Sequence, residues 1–309
     1  MSKLRVAVVM GGTSSEREIS LRSGANVVKG LDQDRYTVIP VDFTGDVTQI
    51  TALRGAVDVV VLTLHGPGGE DGRMQGVLDL LSIPYTGSGV LGSAMAMHKG
   101  VAKALYRQAG IPTPASITLY RDASANPAEV ALAEVGVPCV VKPMNEGSTI
   151  GISIVRAAED LAGALADAFR YDREVLVEQF VAGVEISVPV LGTAAPRALP
   201  EIEIIPRSGF YDYEMKYTPG ATEEICPARI TAGARTSAAD YAVRAHQALH
   251  CQALSRTDMI VCGDEVTVLE TNTLPGMTDT SLLPLSARTD GIAFSELLDL
   301  LISAALGDS

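Results

Sequence analysis

Basic residues are few in this sequence, and it has no long apolar run. The 309 residues include 24 lysines and arginines but 37 aspartates and glutamates, so the formal net charge is −13. This charge argues against a general nucleic-acid binder, which needs a basic surface, although a few local lysines suffice for an anionic nucleotide. The apolar run Val57–Leu64 carries Asp58 and is far shorter than the roughly 20 residues of a membrane-spanning helix, so we expect no membrane association.

Cysteine is also scarce, and its four occurrences show no C-x-x-C spacing. Cys139 lies in the apolar segment PCVVKP and is expected to be a small core residue. The N-terminal segment MSKLRVAVVMGG lacks the small-residue cleavage site of a signal peptide and is better interpreted as a first strand. We therefore expect a cytoplasmic protein in a reducing compartment.

Two glycine motifs of nucleotide-binding proteins are missing. The turn after the first predicted strand, MGGTSSERE, lacks G-x-G-x-x-G, so a nicotinamide-dependent dehydrogenase is weakly supported. The P-loop pattern G-x-x-x-x-G-K-[ST] is absent as well, which excludes that phosphate-binding mechanism. With 47% apolar and 20% charged residues and no repeats, the composition is that of a globular protein of two or three domains.

Strand and helix patterns alternate in the first part of the chain. Leu4–Met10, Tyr36–Phe43 and Val57–Leu64 predict strands, and Arg17–Leu31 predicts a helix between the first two. The third strand is apolar throughout, as expected for a parallel sheet covered on both faces. Residues 1–92 are therefore predicted to form a parallel α/β domain.

The remainder predicts two α+β units, 93–180 and 181–309. A helix is expected over Ser93–Gly110, another from Thr236 to Leu249, and a C-terminal amphipathic helix from Phe294. Strands are expected at Ile117–Tyr120, Pro138–Lys142, Glu174–Phe180, Glu185–Leu191, Leu199–Ile205, Asp258–Val261 and Thr267–Asn272.

Oxygen ligands cluster at the end of the last predicted strand. Glu270 and Asn272, in LETNTLPGMTDTSLLP, lie two residues apart and therefore point to the same face. Asp258 could join them from the preceding strand. Two carboxylates and an amide suit Mg²⁺, which binds few carboxylates together with substrate phosphates. A polar strand end facing solvent is the alternative, and the short E-x-N spacing alone favours it.

Other segments have both a functional and an ordinary interpretation. Lys142 ends an apolar strand, and the glycine-rich segment NEGSTIG follows it. The lysine and the glycine-rich turn could form a phosphate-binding site, or the segment could be a β-hairpin turn with a surface lysine. His65, in LHGPGGEDG, stands at the edge where open α/β sheets bind ligands, or is a hydrogen-bonded loop histidine. Glu16 has an ordinary interpretation as a residue of the first helical turn, where its negative charge interacts favourably with the helix dipole. His246 and His250 lack further ligands and are expected to be ordinary helix residues.

Ten segments in series resemble the D-alanine–D-alanine ligases of the ATP-grasp superfamily over nearly the whole chain. They are GGTSSEREISLRSG, LHGPGGEDGRMQG, IPYTGSG, SAMAMHK, VVKPMNEGSTIG, VEQFVAGVE, FYDYEMKY, CPA, RTD and LETNTLPGMTDTSLLP. The resemblance implies an α/β fold of three domains, with ATP clasped between the central and C-terminal ones. It implies that ATP phosphorylates a D-alanine carboxylate, and that the amine of a second D-alanine displaces phosphate from the acyl phosphate.

The resemblance also implies ligands for ATP and for two Mg²⁺ (or Mn²⁺) ions. Asp258, Glu270 and Asn272 match the metal ligands, which serve ions that bridge the β- and γ-phosphates. The expected nucleotide-binding residues are Lys99 and Lys142 at the phosphates, Glu178, Gln179 and Val181 at the adenine, Glu185 at the ribose, and Lys216 on a loop that closes over the nucleotide.

Substrate-binding and catalytic positions follow from the same resemblance. Glu16 matches the residue that binds the ammonium of the first D-alanine, with His65 close by. Arg256 matches the arginine on the substrate carboxylate and the acyl phosphate, a role that suits its bidentate fork. A backbone N–H of Gly276 is expected to stabilise the tetrahedral oxyanion, and Ser281 to hold the acceptor carboxylate.

A lid is implied as well, formed by the segment FYDYEMKY. The hydroxyls of Ser148 and Tyr217 match residues that, with Glu16, tie the lid to the N-terminal domain. The sequence departs from the family pattern at His98, where an aspartate is usual, at Gln179, where many members have lysine, and at Thr149, where a serine is usual. These departures bear on nucleotide affinity and loop geometry rather than on the reaction class.

Several alternatives stay open. A relative with another acceptor, such as D-lactate or D-serine, would share these motifs, although Tyr217 disfavours D-lactate because ligases for that acceptor carry a histidine in this loop region. A nucleotide-binding regulator without turnover would not need Arg256. Family members are commonly homodimers, so we expect a homodimer.

Overall fold

The computed structural model of the chain describes residues 3–123, 126–145, 147, 151–206 and 222–307. Three sheets organise this part of the chain, a parallel one near the N-terminus and two antiparallel ones further along. The predicted class, a parallel α/β domain followed by two α+β units, is confirmed. No helix within these ranges is long and apolar enough to cross a bilayer.

The first sheet has the strand order β2-β1-β3 and is parallel throughout. Its strands are β1 (Leu4–Gly11), β2 (Tyr36–Phe43) and β3 (Val59–Leu62). Side chains alternate across β1, so that Val6 and Val8 enter one hydrophobic cluster while Ala7 and Val9 enter another on the opposite face. This two-sided burial explains why the third strand is apolar throughout.

The middle sheet is antiparallel, with the order β4-β7-β5-β6. The strands are β4 (Ser116–Tyr120), β5 (Cys139–Pro143), β6 (Ser153–Val155) and β7 (Glu174–Gln179). Cys139 is fully buried in its core, as predicted.

The third sheet is also antiparallel, with the order β11-β10-β8-β12-β13 and β9 paired to β8. A long helix, α8 (Ala232–Ala248), packs on it through buried alanines. The strands are β8 (Val184–Leu191), β9 (Arg197–Ala198), β10 (Ile202–Pro206), β11 (Thr222–Ile225), β12 (Leu254–Cys262) and β13 (Glu265–Asn272).

Among the remaining helices, the first and the last lie where the sequence patterns place them. These helices are α1 (Arg17–Gly30), α2 (Thr48–Thr51), α3 (Arg73–Leu81), α4 (Val90–Met97), α5 (Lys99–Gln108), α6 (Pro127–Glu134), α7 (Leu161–Ala168), α9 (Leu282–Thr289) and α10 (Phe294–Leu306).

Two local predictions are wrong, and one further helix was not predicted. The single helix expected over Ser93–Gly110 is two helices, because His98 has an extended backbone (φ −85°, ψ 95°) and caps the second one. Helix α9 was not predicted, since its short segment carries Pro284 near the start, a residue also typical of turns. His250 lies beyond the end of α8 with a φ of +52°, so it does not share a helix face with His246.

The C-terminal helix α10 completes the core of the first sheet. Leu297 and Leu301 belong to the same buried cluster as Val6 and Val59. The Tyr36 hydroxyl, at the start of β2, donates a 2.6 Å hydrogen bond to Asp299 of this helix. Chain segments separated by more than two hundred residues thus share one core.

We predict that Leu301→Ala destabilises the protein by about 2–5 kcal/mol, because the buried side chain leaves a cavity beneath the first sheet. Leu300→Ala is the matched control on the same helix, since Leu300 is 47% exposed and Leu301 is 2% exposed. Urea unfolding of both variants provides the measurement. Equal losses in the two variants would contradict this packing.

Candidate active site

Two cavities meet at the end of the third sheet. The first, called here the intersheet cavity, has a volume of about 490 Å³ and lies between the middle and third sheets. The second, called the central cleft, is bounded by the loops after β1, β3 and β13 together with α5. Asp258 and Glu270 line both cavities. The two cavities therefore border each other at these two carboxylates.

The structure distributes fourteen of the predicted site residues over these two cavities. Those in the intersheet cavity, apart from the shared carboxylates, are Lys142, Glu178, Gln179, Val181 and Glu185. Those in the central cleft are Glu16, His65, Lys99, Arg256, Asn272, Gly276 and Ser281. Ser148, Thr149, Lys216 and Tyr217, and with them the predicted lid, lie outside the described residues.

Four polar side chains share one face of the β12–β13 ladder. Asp258 is paired directly with Glu270, and Arg256 directly with Asn272. Residues two apart in a strand point to the same face, so the pairing gathers all four at one end of the sheet. The expectation that Asp258 joins the other two from a neighbouring strand is thus met.

Two carboxylates directly opposite each other repel, and a sheet normally avoids such a pair. Here the repulsion is offset by cations. Arg256 donates a fork to Asp258, with Nε 3.0 Å from Oδ1 and Nη2 2.8 Å from Oδ2. The Lys99 ammonium lies 3.9 Å from Glu270 Oε2, and the Ser187 hydroxyl donates to Asp258 at 2.6 Å.

The donor set of this ladder fits a hard divalent cation. Asp258 and Glu270 supply carboxylate oxygens and Asn272 an amide oxygen, the ligand types that Mg²⁺ prefers. Among the described residues, no group of three or more histidine, cysteine or carboxylate side chains is arranged for a metal. Two carboxylates still suffice for Mg²⁺, because substrate phosphates and water complete its coordination.

The phosphate lysine predicted in the middle sheet is held by a buried carboxylate. The Lys142 ammonium lies 2.5 Å from Glu178 Oε1, and Lys103 lies 2.7 Å from Oε2. Burial alone would raise the pKa of Glu178, but the two lysines hold it below its usual value. Burial would likewise lower the pKa of Lys142, yet Glu178 and then Glu270 raise it. Lys142 is therefore a cation.

Glu16 stands at the N-terminus of α1, but its side chain makes no capping hydrogen bond there. Instead its carboxylate faces two glycines from different loops. A Cβ atom added at Gly66 would lie 2.9 Å from Glu16 Oε2, and one added at Gly147 would lie 2.8 Å from it. The glycines thus admit the carboxylate between the loop after β3 and the loop after β5, which disfavours the purely capping interpretation.

The Pro-Gly turn after β13 is fixed by hydrogen bonds at both ends. Asn272 Oδ1 accepts the Leu274 N–H at 2.8 Å, and Ser281 Oγ accepts the Thr278 N–H at 2.9 Å. A Cβ atom added at Gly276 would lie 2.7 Å from Ser281 Oγ, so a larger residue would collide with that hydroxyl. The turn therefore holds Gly276 and Ser281 side by side, as their predicted roles require.

His65 and Glu70 are buried beside Glu16. Burial lowers the pKa of His65, with the Glu16 carboxylate opposing this shift, so the neutral imidazole is favoured. Burial, and then the charge of Glu16, raise the pKa of Glu70 to about 8. Glu70 Oε2 accepts the Gly66 N–H at 2.6 Å. The loop after β3 therefore contains a carboxyl group that is protonated at neutral pH.

His98 has a local role that the sequence pattern did not reveal. Its Nδ1 accepts the Val101 N–H at 3.2 Å and caps α5, while Nε2 lies 3.4 Å from Glu174. His98 thus makes the kind of hydrogen bond that a favoured N-cap residue such as aspartate makes. Lys99, the next residue, begins this helix.

Sequence reasoning missed Glu70 and Lys103. Glu70 lies inside the quoted motif LHGPGGEDG, where an acid beside glycines gives no sign of burial. Lys103 follows Lys99 by four residues, the spacing that places both on one helix face. That spacing was the available signal, and both lysines are indeed buried.

We predict that Glu70→Gln flattens the pH dependence of stability. A carboxyl whose pKa is raised on folding stabilises the protein below its unfolded pKa, and this contribution is lost as the pH rises towards 8. The variant should therefore gain free energy of unfolding relative to the wild type between pH 5 and 8, by at most about 1.4 kcal/mol per pH unit. Urea unfolding at several pH values measures this. Glu18→Gln, on the exposed side of α1, is the control, and parallel profiles for Glu70→Gln and the wild type would contradict the burial argument.

Comparison with known proteins matches this chain to one family. The model described as D-ala D-ala ligase C-terminus matches residues 105–303, and D-ala D-ala ligase N-terminus matches residues 5–52 and 45–88. The D-alanine–D-alanine ligase of Syntrophobacter fumaroxidans is 51% identical over 308 residues, with 99% of each chain covered. That of Desulforudis audaxviator is 46% identical, covering 97% of this chain and 98% of the relative.

Solved structures of the same family resemble this chain over nearly its whole length. The D-alanine–D-alanine ligase from Bacillus anthracis complexed with ATP superposes with a TM-score of 0.87 at 34% identity, covering 99% of this chain and 98% of the other. The VanG D-Ala:D-Ser ligase from Enterococcus faecalis gives 0.85 at 32% identity, with 98% and 100% covered. Two domain models and full-length relatives of this similarity establish that the chain belongs to the D-alanine–D-alanine ligase family.

Proposed function

We propose that the two cavities divide the family's reaction between them. The enzyme is an ATP-dependent ligase that joins two D-alanine molecules and forms ADP and phosphate. In our assignment ATP occupies the intersheet cavity and the amino acids occupy the central cleft. The observation that carries this assignment is the shared Asp258–Glu270 pair, because phosphoryl transfer needs both substrates at one point.

On the nucleotide side, Lys142 and Lys99 face the junction from two directions. Lys142 comes from the middle sheet and Lys99 from the start of α5. Both are buried and both lie beside carboxylates of the site. Two buried cations stabilise triphosphate charge more strongly than they would in bulk water. Gln179, Val181 and Glu185 line the rest of the cavity, where adenine and ribose fit.

Asp258, Glu270 and Asn272 would hold the two Mg²⁺ ions that the family resemblance implies. Bound there, the ions would supply charge neutralisation for the β- and γ-phosphates. Arg256 lies on the same face and donates its fork to Asp258. A planar fork also matches a carboxylate or a phosphoryl group bidentately, which places Arg256 to orient the D-alanine carboxylate towards the γ-phosphate.

The chemistry then has two steps. A carboxylate oxygen of the first D-alanine attacks the γ-phosphorus, ADP leaves, and an acyl phosphate remains. The amine of the second D-alanine attacks the acyl carbon, loses a proton, and expels phosphate as the peptide bond forms. In this proposal Glu16 binds the first ammonium, the Gly276 N–H stabilises the oxyanion, and Ser281 holds the second carboxylate.

We further propose a homodimer, a cytoplasmic location, three domains and a lid. The homodimer rests on the resemblance to the family, and the cytoplasmic location on the cysteine usage. The domain limits 1–92, 93–180 and 181–309 rest on sequence pattern. The lid assignment of Ser148, Lys216 and Tyr217 rests on motif positions alone.

We predict that ADP and phosphate appear only when ATP, Mg²⁺ and D-alanine are all present, with D-alanyl-D-alanine as the product. Mass spectrometry of the product, run beside coupled ADP detection, tests this. A panel with D-serine, D-lactate and L-alanine as acceptors tests the choice of substrate. A mixed product with D-serine would instead place the chain with ligases of the VanG type, and AMP formation would refute the mechanism.

We predict that Glu270→Gln lowers kcat by on the order of 10²–10⁴, because a carboxylate charge is lost at the phosphoryl-transfer point without a change of shape. Glu265→Gln is the matched control, since Glu265 lies on the same strand and is exposed. The control should keep wild-type kinetics. Near-normal kcat for Glu270→Gln at saturating Mg²⁺ would remove Glu270 from the site.

A further inference from the structure

Lys103 is a buried lysine to which none of the roles above is assigned. It lies on α5 one turn after Lys99, and it is 1% exposed. Lysine is almost never buried to this degree without a partner. Its ammonium donates to Thr113 Oγ1 at 2.8 Å and lies 2.7 Å from Glu178 Oε2. Burial lowers the pKa of Lys103 while Glu178 opposes the shift.

Glu178 is thus shared between two lysines. Lys142 contacts one carboxylate oxygen at 2.5 Å and Lys103 contacts the other. All three side chains are at least nine-tenths buried. The 2.7 Å contact between Lys103 and Oε2 has the length of a charge-assisted hydrogen bond, so each oxygen of Glu178 is compensated by its own lysine.

The charges of this triad do not cancel. One carboxylate faces two ammonium groups within the triad, and the further anions that act on these lysines, Glu270 on both and Glu185 on Lys142, line the intersheet cavity. The Lys142 end opens into the intersheet cavity, whereas Lys103 is on the closed side. Lys142 is therefore the cation of the triad that a ligand in the intersheet cavity can reach.

A simpler arrangement shows what Lys103 adds. If Glu178 had only Lys142, that pair would be neutral, and phosphate groups would compete with Glu178 for the same ammonium. A second cation, on the other oxygen of Glu178, weakens this competition. The negative charge of Glu178 then has a cationic partner even when Lys142 donates its hydrogen bonds to phosphate instead.

We propose that Lys103 is a positioning residue for ATP binding, which neutralises Glu178 from the closed side so that Lys142 can bind the nucleotide phosphates. Lys103 touches neither substrate and acts through Glu178. This inference rests on the proposed function only in taking ATP as the occupant of the intersheet cavity.

The test compares Lys103→Met with the wild type by steady-state kinetics. The KM for ATP should rise by about tenfold or more, the scale of a lost interaction between charged groups. The KM for D-alanine should stay within about twofold, since Lys103 is not in the central cleft. Arg107→Met is the matched control, because Arg107 is exposed one turn further along α5, and both of its KM values should equal those of the wild type.

A double variant separates positioning from general stability. Lys103→Met combined with Glu178→Gln removes the charge that would hold Lys142, so its KM for ATP should return to that of Glu178→Gln alone. If Lys103→Met folds poorly, ATP is titrated into the double variant and into Glu178→Gln alone. The two ATP affinities should agree. Equal rises in both KM values, or a double variant worse than either single one, would overturn the proposal. A wild type without D-alanine-dependent ADP formation would instead refute the proposed function.

Discussion

The opposition of Asp258 and Glu270 across one antiparallel ladder is the constraint on which the site depends. Like charges in that position destabilise a sheet, and the pair lies where two cavities join. The strand itself offers only Arg256 as a cation, so the rest of the positive charge has to come from other elements. The packing of α5 and the middle sheet against the third sheet therefore determines whether the site can exist.

Lys216 lies outside the described residues, and each of the other three cations predicted to bind a ligand is matched with a carboxylate of the site. Two of the three pairs join different elements of the chain and tie them together electrostatically as well as through apolar packing, whereas the third lies within β12. The pairs are Lys99 with Glu270, Arg256 with Asp258, and Lys142 with Glu178. Such pairing keeps buried charges compensated, and it prepares each cation to serve phosphate or carboxylate groups without a large rearrangement of the backbone.

Much of the fold and of the proposed site could be predicted from the sequence, but the fold and the site were predicted for different reasons. The strands of the first sheet followed from apolar periodicity, since burial on both faces leaves a continuous pattern. The site residues followed from motif order, because spacing alone left Glu270 and Asn272 with a solvent-exposed alternative. Neither the hydrophobic pattern nor the motifs could predict which residues of neighbouring strands lie opposite each other. The direct pairing of Asp258 with Glu270 depends on strand register.

The three features that the sequence analysis did not predict, the cap at His98 and the burial of Lys103 and Glu70, have a common physical cause. His98 breaks a helix that propensity would continue, because its ring caps the helix that begins at Lys99. Lys103 is polar and sits on a helix, so pattern alone assigns it to the surface, although it is buried. Glu70 is an acid in a glycine loop that burial keeps protonated. In each case a local rule is broken beside the site and the cost is offset by a specific partner, as expected where function overrides local preference. The residues that break such rules therefore lie beside the proposed site of this ligase rather than far from it.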